Sequence, residues 1–122
     1  LICYQIAWVY FGTGVYKMVS PVWDDGDALK NFLTGHWASP LSFRFMQLDL
    51  PDGVFDTASM LVILLELFGG FALFHPKFQW PFFVLGVSFH LSVAILLNLA
   101  PFLIMPLTYI LFVRPCTITH IL

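Results

Sequence analysis

Three ionisable side chains stand where the surrounding sequence is almost wholly apolar: Lys17, Glu66 and His90. A charge at the centre of a membrane costs roughly 2.5 kcal/mol or more by insertion scales, so each needs a partner or a task. Lys17 shares a helical face with Tyr10 and Gly14, and the nearby Gly12 and Gly14 would let a second backbone come close. A lysine kept dry in such a place can act as a general base. In that role it should line a cavity and have no carboxylate paired with it. The competing reading is an ammonium that reaches along its own stem to the polar interface. Glu66 lies one turn before Gly69 and Gly70 and must face protein, as a clamp between helices or as a reactive carboxylate. His90 lies between Gly86 and Ala94 on a small-residue face, where it joins two helices or holds a ligand.

Other chemistries lack their residues. There is no His-Glu-x-x-His, no glycine-rich phosphate loop and no Gly-x-Ser-x-Gly. His36, His75, His90 and His120 are not spaced as a metal-binding set, so no metal is expected. The run Trp23-Asp24-Asp25-Gly26-Asp27 looks like the start of a calcium loop but lacks the closing Glu. Asp27 is read instead as the cap of a short helix. Cys3 and Cys116 are too few for a disulfide framework and are expected to stay unbridged.

The elements that must position the three residues follow from composition. Of 122 residues, 60% are hydrophobic and 10% charged, against about 25% charge in a typical soluble domain. A formal net charge of -2 leaves no basic patch for nucleic acid. The chain reads as one all-α domain over 1–122: a polytopic transmembrane helical bundle of about four spans plus short interfacial helices. Residues 1–19 are just long enough to cross about 30 Å of hydrocarbon. Residues 20–56 carry eight charges and three prolines. They read as an extramembrane loop with two short amphipathic helices near 27–33 and 41–48, anchored by Trp37. Residues 57–74 form the next span, with Glu66 in its middle, and 75–80 a turn. From 78 to 113 there is no Asp, Glu, Lys or Arg. That stretch breaks near 98–101 and supplies two spans, the last containing Pro106. Lys77 and Arg114 then share a side that the positive-inside rule makes cytoplasmic, and the 20–56 loop is periplasmic or lumenal. A bacterial inner membrane or an ER-type membrane fits. The chain opens inside an apolar run without Met or a basic n-region, so further sequence upstream is expected.

The run Tyr10-Phe-Gly-Thr-Gly-Val-Tyr-Lys17, followed by Trp23 and Asp24-Asp25-Gly26, resembles the horizontally transferred transmembrane (HTTM) domain. That family includes the vitamin K-dependent gamma-carboxylases. A Leu-Glu66-Leu step, a Phe89-His90 pair in the next span and a closing Phe112-x-x-Pro115 are similar to later family features. Order and spacing agree over nearly the whole chain, which looks like the C-terminal half of the domain. The resemblance implies a quinone or hydroquinone cofactor of the vitamin K kind. Lys17 would be the catalytic base that deprotonates the hydroquinone, and Tyr10, Gly14, Trp23 and His90 would bind it. Glu66 and His90 would also tie spans together. A further active-site histidine of the family lies upstream of the matching residues. Expected partners are membrane lipids and other membrane subunits, with no nucleic acid. The alternatives are a non-catalytic accessory subunit of a larger membrane complex and, last, a proton path through Glu66 and His90.

Overall fold

Prolines and a serine set many of the helix boundaries, because proline fits the first helical turn and serine caps it. The computed structural model describes residues 1–113, and side chains through residue 110. Within these residues all regular structure is helical. Helix α1 is Ile2–Val19, α2 Asp27–Thr34, α3 Pro40–Met46, α4 Asp52–Ala72, α5 Pro76–Leu96 and α6 Met105–Val113. Two 3-10 turns, Pro21–Trp23 and Ala100–Leu103, link α1 to α2 and α5 to α6.

Both short loop helices form close to their expected places. Ser39 caps α3 by accepting the Ser42 N–H at 3.2 Å. At α2 the expectation for Asp27 is corrected. Gly26 occupies the cap position with φ 72°, and the Asp25 carboxylate accepts the Asp27 N–H at 3.3 Å. The reason lies in packing, since a Cβ on Gly26 would fall 2.8 Å from Phe55. The turn expected at 75–80 is also shorter than foreseen. His75 caps α5 through Nδ1, and the helix runs on from Pro76 through Pro81.

Two helices are long and apolar enough to cross a membrane, α4 and α5. This is fewer than the four spans expected. α1 has 18 residues, but Gln5, Thr13 and Lys17 dilute its apolar character. The last apolar stretch in the described part, Ala100–Ile110, is short. Pro106 falls in the first turn of α6, where its missing N–H breaks no helical bond. Arg114, Cys116 and His120 lie outside the described residues.

The main helix pair is α1 against α4, running in opposite directions. A Cβ on Gly70 would come within 2.7 Å of the Ala7 Cα, and one on Gly14 within 2.9 Å of the Leu67 backbone N. At these two places the helices touch nearly backbone to backbone, the geometry that small residues permit in lipid. Aromatic rings flank the contact, with Tyr4 stacked on Phe74 and Trp8 edge-on to Phe71. α2 and α3 cover one end of the bundle. Ser42 Oγ donates to the Leu33 carbonyl at 2.7 Å, and the Ser39 N–H donates to the Leu96 carbonyl at 2.8 Å.

Candidate functional site

The close α1–α4 contact decides what Lys17 meets. One turn beyond Gly14, its ammonium donates to Glu66 Oε1 and forms an ion pair with it. The expectation that Lys17 stands without a carboxylate is therefore overturned. The physical reason is register: with Gly14 seated on Leu67, Lys17 and Glu66 face each other across the helix pair. In a medium of low dielectric, opposite charges at that separation attract strongly. Only 19% of the Lys17 side chain and 8% of the Glu66 side chain remain exposed. The ammonium also sits 4.8 Å from the centre of the Trp23 ring, which the first 3-10 turn brings back over the end of α1. Asp24 and Asp25 form no ion pair with it.

A second polar group lies beside the first. Tyr10 Oη is 2.5 Å from His90 Nε2 and 2.6 Å from Tyr109 Oη, so three helices meet through one row of hydrogen bonds. All three residues are buried, His90 and Tyr109 at 3% exposure each. Gly86, one turn before His90, makes room for Tyr109, because a Cβ there would lie 2.7 Å from the phenolic oxygen. Sequence reasoning placed Glu66 and His90 among protein-facing residues, named Tyr10 only as a cofactor contact on the Lys17 face, and missed Tyr109. The signal available was the small face of Gly86 and Ala94, which announces a close neighbour without naming it.

Lys17, Glu66 and His90 stand between two cavities, each of about 380 Å³. The first is walled by aromatic and aliphatic groups, among them Trp23, Phe32, Phe45, Phe55 and Phe89. The second lies toward Tyr10, Thr13 and Met105. Phe102 borders both. Of the residues expected to hold a cofactor, Trp23 and His90 line the first cavity and Tyr10 and His90 the second. Gly14 lines neither; it serves the helix contact. Gly12 has open space around its Cα.

Two buried polar atoms at this junction, Glu66 Oε2 and His90 Nδ1, have no hydrogen-bond partner among the described residues. Buried polar groups are nearly always satisfied, so such a pair marks a place where a ligand or water completes the set. Glu66 Oε2 can only accept if the carboxylate is ionised, whereas His90 Nδ1 donates or accepts according to its tautomer. Among the described residues, no group of three or more His, Cys, Asp or Glu gathers as a metal site.

The end of the bundle covered by α2 and α3 carries a contrasting pair. Lys30 donates to Asp52 at 2.6 Å and lies 3.9 Å from Asp27. The hydrogen bond to Asp52, more than any other influence, holds the Lys30 ammonium above the ordinary lysine range.

Compared with known proteins, the chain matches the family model of the HTTM domain over residues 1–116. Neither the curated proteins nor the solved structures gave a match.

Proposed function

Because the chain belongs to the HTTM domain family, and so to the gamma-carboxylase-like membrane proteins, we propose that it binds a flat, lipid-soluble quinol in the aromatic cavity. The observation that supports this is a convergence. An otherwise apolar cavity of about 380 Å³ ends at the Lys17–Glu66 pair and at two unpartnered buried polar atoms. Ligand sites are commonly of this kind, mostly apolar with a few polar groups that fix orientation.

The ring system would lie among Trp23, Phe32, Phe55 and Phe89, with a hydroxyl at the polar end. Lys17 and Glu66 then act as one unit. The Glu66 carboxylate would take up the proton of a ligand hydroxyl, either directly at Oε2 or through Lys17. In the second route Lys17 first passes a proton to Glu66 Oε1, and its free amine takes the ligand proton. Either way the Lys17 ammonium would stand beside the ligand oxygen and stabilise negative charge there. The family role of Lys17 as base is thus kept only through its partner.

We also propose that α1 and the stretch through α6 cross the membrane with α4 and α5, giving four spans. The acidic segment 20–56 then lies on the periplasmic or lumenal side. Asp25→Cys and Lys77→Cys variants should label from opposite sides; labelling from one side would overturn this topology.

Solvent extraction of the protein purified from its own membrane, followed by mass spectrometry, tests the ligand. A prenylated quinone at near-equimolar amount is expected in the wild type and should be lost in Phe89→Asp. A defined multi-subunit complex without any quinone would transfer the reading to the accessory-subunit role.

A further inference from the structure

Tyr109 Oη, Tyr10 Oη and His90 Nε2 form a row with spacings of 2.6 and 2.5 Å. Each hydroxyl carries one hydrogen, as does a neutral imidazole, so the row can be filled in two directions. In the first, Tyr109 donates to Tyr10, Tyr10 donates to Nε2, and the ring hydrogen sits on Nδ1. In the second, Nε2–H donates to Tyr10 and Tyr10 donates to Tyr109, whose own hydrogen then needs another acceptor.

The surroundings of Tyr109 choose between the two. Its hydroxyl lies against Gly86, the Phe83 ring is 6.1 Å from its own, and the core cluster it forms with Tyr10 and Leu73 is packed mainly by apolar side chains. Among the described residues its only hydrogen-bond partner is Tyr10. A hydroxyl hydrogen buried there without an acceptor would lose its hydration and gain nothing in return. The row therefore runs outward from Tyr109, each hydroxyl polarising the next.

We propose that Tyr10 and Tyr109 are positioning residues that hold His90 as its Nδ1–H tautomer, so that His90 Nδ1 and Glu66 Oε2 together read a hydroxyl group. Both atoms are buried without partners, and both residues border the same two cavities. A hydroxyl oxygen accepts from Nδ1–H while its hydrogen goes to Oε2. A carbonyl or an ether oxygen can make only the first bond and leaves the carboxylate oxygen unpaired. The site is thus built for the hydroxyl-bearing, reduced form of an aromatic ligand. The tautomer stands on the geometry alone; the identity of the ligand rests on the cavity reading given above.

The 15N spectrum of histidine-labelled full-length protein in nanodiscs tests the tautomer, with His90→Gln assigning the resonances. The expected pattern is a protonated, pyrrole-type Nδ1 and a pyridine-type Nε2. Tyr10→Phe should collapse it toward averaged values. Tyr109→Phe should keep the tautomer but move Nε2 toward its unbonded position, a change that loss of packing alone would not produce. A pyrrole-type Nε2 in the wild type would overturn the proposal. The hydroxyl preference is read from the same Nδ1 resonance during titration with 1-naphthol and with 1-methoxynaphthalene. The naphthol should reach half-effect at a concentration at least about tenfold lower. Equal responses would overturn the hydroxyl reading and leave the cavity standing. No response to either probe would overturn the cavity reading and the hydroxyl pairing, while the nitrogen pattern still decides the tautomer.

Discussion

Two lysines in this molecule, with 19% and 27% of their side chains exposed, make similar contacts to carboxylates in opposite surroundings. Lys17 pairs with Glu66 and lies near the Trp23 ring; Lys30 pairs with Asp52 and lies 5.5 Å from the Phe55 ring. The difference is solvent. Glu66 keeps 8% of its side chain exposed and Asp52 keeps 83%. Water can replace the partner of an exposed charge at little cost, whereas a buried charge has no substitute. The loop pair can therefore be lost without much consequence, and the buried pair must be kept whole or removed whole.

The largest effect tests that claim. Glu66→Leu leaves a lysine with one-fifth of its side chain exposed and no carboxylate, and should cost about 3–5 kcal/mol in unfolding measurements. The double variant Lys17→Met/Glu66→Leu should recover most of this loss. A double variant as unstable as Glu66→Leu would mean that the two buried charges are not coupled. Next comes the helix contact that creates the pair. Gly70→Ala puts a methyl group against the Ala7 backbone and should cost about 1–3 kcal/mol. It should also disturb Lys17, visible as a changed environment for the adjacent Trp23. A weaker effect is expected at Gly86→Ala, where the obstructing atom belongs to the Tyr109 side chain and not to a backbone. The readout there is the His90 nitrogen pattern, which should change more than the melting temperature does.

The smallest effect belongs to the loop pair. Asp52→Asn should shift the melting temperature least of the set, and the shift should shrink further in high salt. Its pH dependence has a definite sign. A lysine whose folded pKa is raised contributes fully below its ordinary range and loses that contribution only as pH rises through the folded value. Stability differences between wild type and Asp52→Asn should thus be level across neutral pH and fade only in strong alkali. A difference that changed between pH 6 and pH 8 would point to another group.

How much of this was legible in the sequence depends on the range over which each feature is determined. The loop helices α2 and α3 are local events whose start signals, Gly26, Ser39 and Pro40, lie within a few residues; their positions are legible from the sequence to within two residues, while the cap of α2 is misassigned to Asp27. The burial of Glu66 and His90 was legible too, because lipid offers a polar group nothing. The partner of Lys17 was not legible. It lies 49 residues away and is chosen by the seating of Gly14 on Leu67, a register that hydrophobic pattern does not encode. Tyr109 was hidden for a different reason. The segment around it is apolar on every side, so no periodicity distinguishes an inward phenol from an outward one. For α1 the length meets what a span needs, but Gln5, Thr13 and Lys17 lower its apolar character, so composition marks it less strongly than α4 and α5.

The bond from the Ser39 N–H to the Leu96 carbonyl has an evolutionary consequence. It joins the loop to the end of α5, and it is made by the backbone alone. Nineteen of the twenty residue types could occupy position 39 and still offer that N–H. Exchange for another small residue erodes only the serine cap on α3, a loss of about 1 kcal/mol, while the burial of this position excludes bulky side chains. Proline is the exception, since it has no hydrogen to give. A position that accepts any small residue and rejects proline would look weakly constrained in a tally of side chains, although it anchors the cover of the aromatic cavity to the helix that carries His90.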